Sequence, residues 1–324
     1  SSVMSDCIFN NCFGTVKGGA IILQTDNTLV KDCNFTNCYV SGAYCGFGGA
    51  AVMSVMNGTI SNCIFKDCYS DSEGGALYSE NSVGLLVDSC SFLDNNAVYG
   101  GAISVRNSRD VLFNNTNFTN NSALFGGVGY ITQAVVSFDN CELSSNNAIN
   151  PNDEGTAGAG AIVNYNNYEC NISNSVIKDN TVKADYALGS VIINYGFMNL
   201  DNVSIFNNSL SCKNKVENDV IYNIGGKINV INSNITNNSY NCGNQSVLYS
   251  LSHPVIYGNL SFNNTNIPSQ YDLRKVKLEN GSIVNYLTPV KDQGMAPVCW
   301  VFAGNGVLES YLLRNGIGEY NFSE

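Results

Sequence analysis

The chain of 324 residues carries a formal net charge of −11, with only 13% charged residues and with 31 Gly against 5 Pro. That acidity argues against nucleic acid and anionic membrane surfaces as partners, and no apolar run is long enough to span a bilayer. Abundant Asn and evenly spread β-branched and aromatic residues suit short strands joined by tight turns.

Residues 1–267 hold 10 Lys+Arg against 20 Asp+Glu, so they carry nearly all of the negative charge. Neither a secretory signal nor an initiator Met is present, and an internal fragment is expected.

From the first residues onward one word recurs: CIFNNC, CNFTNC, CIFKDC, CSFLDN, TNFTNN, CELSSN, SVIKDN, VSIFNN, SNITNN and LSFNNT. These strings align on Phe9, Phe35, Phe65, Phe92, Phe118, Leu143, Ile177, Ile205, Ile235 and Phe262, at intervals of 26, 30, 27, 26, 25, 34, 28, 30 and 27 residues. A second word, Gly-Gly-Ala or a variant, stands between anchors at Gly18-Gly19-Ala20, Gly48-Gly49-Ala50, Gly74-Gly75-Ala76, Gly100-Gly101-Ala102 and Gly126-Gly127-Val128. Apolar alternation follows it, as in AIILQ and AISVR, and reads as a strand with one buried face. A unit of this size cannot bury its apolar face alone, so neighbours must stack. The expected fold class is all-β, a right-handed parallel β-helix of about ten coils over residues 1–267.

Stacking puts equivalent residues in columns. Two residues before each anchor stand Cys7, Cys33, Cys63, Cys90, Thr116, Cys141, Ser175, Val203, Ser233 and Leu260. Three residues after it stand Cys12, Cys38, Cys68, Asn95, Asn121, Asn146, Asn180, Asn208, Asn238 and Thr265. The small residues suit an interior column, and the Asn residues suit a turn ladder whose amides bond along the stack. The Cys-x4-Cys pairs invite zinc, but they lack close Cys-x2-Cys knuckles and give way to Ser, Asn or Val in later coils. Buried free thiols are therefore expected, and neither metal nor cofactor; a coil-to-coil disulfide remains open on distance alone.

The combined words GGA and F-x-x-N resemble the repeats of chlamydial polymorphic outer-membrane proteins and of adhesin-like surface proteins of methanogenic archaea. That resemblance implies an extracellular, cell-surface stalk with a surface protein or glycan as ligand. Sequons at Asn34, Asn57, Asn117, Asn171, Asn234 and Asn259 are candidate glycosylation sites. A carbohydrate-cleaving site would need clustered carboxylates. Here they are scattered, with local pairs only at Asp71 and Glu73 or Asp153 and Glu154, and the lone His253 precedes a Pro.

At residue 268 the repeat stops. Phe302, Ala303, Val307, Leu308, Tyr311 and Leu312 follow a helical period that opens near Pro297 and closes at Gly316. Cys299 falls in the first turn, where free N–H groups and the helix dipole favour the thiolate. Gln293, six residues earlier, supplies an amide suited to a developing oxyanion.

IPSQYDLR, TPVKDQG, CWVFA and LES resemble the start of a mature papain-family cysteine protease, over residues 268–324. The resemblance implies Cys299 as nucleophile, Gln293 as oxyanion-hole side chain and Trp300 packing the top of a central helix, with a peptide or protein as substrate. Ala296 replaces a customary cysteine, and Pro297 and Val298 replace the Gly-Ser before the nucleophile. The family's His and Asn lie roughly 130 to 150 residues downstream of the nucleophile, beyond Glu324. The expectation is a truncated α+β segment, a cysteine endopeptidase on an adhesin-like stalk that binds without cleaving. The alternative is a non-enzymatic adhesin with a degenerate protease-like segment.

Overall fold

The computed structural model describes residues 2–42, 46–150, 155–165, 168–214, 218–240, 245–250 and 254–263, and the short strands Val276–Lys277 and Ile283–Val284. Two compact units emerge, Ser1–Asn266 and Ile267–Glu324. In the second, the two short strands pair antiparallel.

The first unit is a parallel β-solenoid, with strands throughout and no helix among the described residues. Its leading ladder stacks ten strands from Val3–Ser5 to Val255–Tyr257. The anchor ladder stacks ten more, from Ile8–Asn10 to Ser261–Asn263. A glycine ladder of nine runs from Ile21–Leu23 to Gln245–Ser250.

The expected register holds throughout the anchor ladder. Phe9, Phe35, Phe65, Phe92, Phe118, Leu143, Ile177, Ile205, Ile235 and Phe262 are successive partners. The rings of Phe9, Phe35, Phe65 and Phe92 stack face to face with centroids 4.7 Å apart, the spacing of neighbouring strands. With Phe113 and Phe138 of the leading ladder they form one continuous core.

The Asn abundance has a backbone cause. Each corner between the leading and anchor ladders except the last is two residues, the first left-handed and the second pointing inward. At Asp32-Cys33, Asp32 has φ +53° and its N–H donates to Ser61 O of the next coil at 3.1 Å. Among the described residues, every non-glycine residue at positive φ is Asn or Asp except Ser89, Gln133, Ser145 and Ala159, because Asx side chains best tolerate that region. Solenoid hydrogen bonding thus continues around the corners.

The inward residue also serves the corner. The N–H groups of Cys33 and Cys63 lie 3.4 Å from the Sγ of Cys63 and Cys90, and the Cys141 N–H is 3.0 Å from Ser175 Oγ. Cys, Ser and Thr, small side chains with a lone pair, therefore fill most of this column, with Val203 and Leu260 the exceptions. Cys7, Cys12, Cys33, Cys38, Cys63, Cys68, Cys90, Cys141 and Cys170 are free thiols, while Cys212 is disulfide-bonded. Thr265 lies outside the described residues.

One expectation needs correction. The strands after Gly-Gly-Ala were expected to bury one face, yet Val52, Tyr78 and Ser104, which point outward, are also buried. A side column of isolated bridges folds against them, joining Lys17, Phe47, Glu73, Tyr99, Phe125 and Gly158 in turn. The outer face of the glycine ladder is a groove.

Candidate functional site

The groove is assembled by stacking, not by any local motif. Its floor is the outward column Val52, Tyr78, Ser104, Tyr130, Val163, Ile193, Tyr222 and Tyr249. Its wall is the bridge column, and Glu80, Arg106, Thr132 and Tyr165 align further along the same strands.

In the early coils the groove is charged and self-paired. Lys17 Nζ sits 5.5 Å from the Phe47 ring centre and 5.7 Å from that of Tyr78, and it meets Glu80 Oε2 at 2.9 Å. Arg106 Nη2 donates to Glu73 Oε1 at 2.7 Å, and Ser104 Oγ donates to Glu73 Oε2 at 2.9 Å. Burial, joined by the Glu73 and Glu80 carboxylates, raises the Tyr78 hydroxyl pKa well above its usual value.

Farther along, the groove opens into a cleft of about 240 Å³ lined by Tyr99, Phe125, Tyr130, Tyr165, Leu188 and Tyr195 together with Val163 and Ile193. The rings run on from one coil to the next: Tyr99 to Tyr130 at 5.0 Å, Tyr130 to Tyr165 at 6.4 Å, and Tyr165 to Tyr195 at 5.0 Å. Ala159, Val163 and Ile193 form a small apolar cluster beneath them, separate from the main core. Burial pushes the Tyr130 hydroxyl up to about 12, so it stays protonated at neutral pH. Faces of aromatic rings with hydroxyl rims favour flat apolar groups and cations.

The columns named from sequence come together but serve the fold. Asn95, Asn121, Asn146, Asn180, Asn208 and Asn238 form an unbroken buried ladder, each Nδ2 donating to the next Oδ1 at 2.9 to 3.0 Å. A second buried ladder, Asn164 to Asn194 at 2.8 Å and Asn194 to Asn223 at 2.6 Å, went unread in the sequence. Asp71 and Glu73 do not act together: Asp71 accepts the N–H groups of Gly42 and Gly46, whereas Glu73 faces Arg106. Among the described residues no group of three or more His, Cys, Asp or Glu is placed to hold a metal ion. Cys299, Gln293, Trp300, His253, Asp153 and Glu154 lie outside the described residues.

The groove was missed because its sequence signal is thin. Tyr78, Tyr130, Tyr222 and Tyr249 recur where alternation calls for an outward polar residue, but Val and Ser interrupt the series.

The family profile described as a right-handed beta helix region matches residues 1–175. A crystal structure of PfbA, a surface adhesin of Streptococcus pneumoniae, aligns over 85% of this chain and 92% of that one, at 11% identity and a TM-score of 0.28. A second structure of the Streptococcus pneumoniae surface protein and adhesin PfbA aligns over 82% of each chain at 12% identity and a TM-score of 0.27. No curated protein matches the chain.

Proposed function

This chain belongs to the right-handed β-helix family, and from that premise we propose that residues 1–266 are an adhesin-like binding stalk displayed at a cell surface. The observation that carries the reading is the open aromatic cleft from Tyr99 to Tyr195 on the outside of a rigid solenoid. Aromatic rings gathered side by side in one open cleft mark an interaction site. The stalk supplies rigidity and reach, since each coil adds about 4.8 Å of length, and the groove supplies contact.

The test is retention of the chain on panels of immobilised matrix proteins and glycans, run beside Tyr165→Leu. The adhesin reading expects binding to some member of the panel that Tyr165→Leu weakens. Binding that is indifferent to Tyr165→Leu would move the site elsewhere, and no binding across the panel would count against the adhesin role.

A second reading is favoured by one observation, the run of papain-like words from Leu287 to Gly304. In it, the Cys299 thiolate attacks a peptide carbonyl while Gln293 and the Cys299 N–H hold the oxyanion; a His placed downstream, as in that family, passes the thiol's proton to the departing amine as the C–N bond breaks, and water hydrolyses the thioester. Its test is iodoacetamide labelling under reducing conditions. Fast, pH-dependent modification of Cys299 ahead of the repeat cysteines supports the peptidase; modification no faster than theirs removes it.

A further inference from the structure

The groove contains an occupied and an open version of the same seat. In the occupied one the Phe47 and Tyr78 rings stand 4.9 Å apart, tilted by 43°, and Lys17 lies over both with its ammonium held by Glu80. Two coils along every column, Phe47 is replaced by Tyr99, Tyr78 by Tyr130, Glu80 by Thr132 and Lys17 by Glu73. The second ring pair has the same geometry, with centroids 5.0 Å apart and a tilt of 51°. No described Lys or Arg is seated over it.

The replacements point one way. Where the first seat carries a built-in cation, the second has the Glu73 carboxylate, whose oxygens accept from Arg106 and Ser104. Thr132, in the register position of Glu80, is buried beside the Tyr130 hydroxyl, and its own oxygen has no hydrogen bond of good geometry. The ring pair that carries Lys17 is thus repeated, with the Thr132 hydroxyl in place of the Glu80 carboxylate that holds its ammonium. The protein as a whole is strongly acidic at −11, so a cation is also drawn to it at long range.

We propose that the Tyr99 and Tyr130 ring pair is a seat for a lysine or arginine side chain of a basic partner polypeptide. The adjoining Tyr165, Tyr195, Leu188 and Ile193 surface takes the apolar residues that flank that side chain. The proposal rests on the binding reading above and names the chemistry of its partner. Charge complementarity selects a cationic polypeptide over a neutral saccharide, and the self-bound Lys17 shows the contact that the partner reproduces.

The test uses the full chain and fluorescence anisotropy with two labelled heptapeptides, Gly-Ser-Leu-Lys-Leu-Ser-Gly and the same peptide with Gln in place of Lys. The Lys peptide should bind about two- to thirtyfold more tightly, the range of a cation–π contact. Tyr99→Leu and Tyr130→Leu leave the net charge unchanged, and each should erase that preference. Lys17→Met vacates the first seat and should raise the number of bound Lys peptides from one to two. Equal affinity for the two peptides, a preference that survives both tyrosine variants, or displacement of the Lys peptide by maltohexaose would each overturn the proposal. If the peptides bind equally while Tyr165→Leu still weakens surface retention, the cation seat falls and the binding groove stands.

Discussion

The Asn146 Oδ1 atom accepts two hydrogen bonds from Asn121, one from its side-chain Nδ2 and one from its backbone N–H, both at 2.9 Å. Asn146 Nδ2 in turn donates to Phe118 O and to Asn180 Oδ1, both at 3.0 Å. One carboxamide thus satisfies a corner N–H, a strand carbonyl and its two neighbours in the ladder, all without water. Only Asn offers both a donor and an acceptor at that length.

Removing one rung should therefore cost more than one hydrogen bond. Asn146→Ala orphans the Asn121 N–H, worth about 1–3 kcal/mol when left unpaired, and takes one partner each from the Asn121 amide, the Asn180 carboxamide oxygen and the Phe118 carbonyl. The urea midpoint should fall by the equivalent of about 3 kcal/mol, whereas Asn34→Ala, on an exposed strand position, should stay within about 0.5 kcal/mol.

The Gly-Gly-Ala word encodes a close approach. A Cβ on Gly75 would sit 2.0 Å from Gly101 O and 2.6 Å from Asn96 O, so backbone would have to move. Gly129 also lies in the glycine ladder, but its Cβ would meet only the side-chain carbons of Ile103 and Ile162, at 3.2 Å. Gly75→Ala should destabilise by about 3 kcal/mol and Gly129→Ala by less than about 1 kcal/mol, as read from equilibrium unfolding.

Acid should loosen the stack through its outer carboxylates. The Ser173 hydroxyl and the Asn174 amide hold Asp139 below its ordinary 3.8, and Lys178 holds Glu142 below 4.5. Folded values below the unfolded ones mean that the unfolded chain binds more protons. The stabilisation is therefore full above the unfolded values and is lost as pH falls through the depressed ones. The urea midpoint should be flat from about pH 7 to about pH 5 and fall below about pH 4. Asp139→Asn should shrink that fall; an unchanged profile would exclude Asp139 as a contributor.

Cys141 and Cys33 should be slow nucleophiles, whereas hydrogen bonding from Cys68 and Cys90 draws the Cys38 and Cys63 thiols down. Burial pushes the Cys141 thiol up to about 12 and raises that of Cys33, so little thiolate forms at neutral pH. Among the described free cysteines, Cys7 and Cys12 are only half-buried and should react first with a thiol reagent. Early labelling of Cys141 in the native protein would mean that the solenoid opens there.

Much of this fold was legible because stacking converts a one-dimensional period into columns. Phe35, Phe65 and Phe92 recur at similar intervals and become a ring stack; Asn121 and Asn146 recur three residues after an anchor and become a ladder. The groove was far less legible. Lys17, Phe47, Glu73 and Tyr99 share no residue type, belong to one-residue bridges, and are aligned only by the coils on either side. Their meaning appears only when Tyr78 and Tyr130 are seen to be two coils apart. Cys299 and Gln293 were singled out on a helical period, their spacing and family-like words, and they lie outside the described residues.

The account turns on which face of the stalk meets its partner, and oxidative footprinting of tyrosines reads this directly. The chain would be oxidised free and while attached to the surface that retains it. Tyr165 is 39% exposed in the groove, while Tyr39 and Tyr69, at 41% and 42%, lie on another side of the solenoid and serve as references. Protection of Tyr165 on attachment, with Tyr39 and Tyr69 oxidised as before, is the predicted result. Protection of Tyr39 and Tyr69 with Tyr165 unchanged would contradict the account.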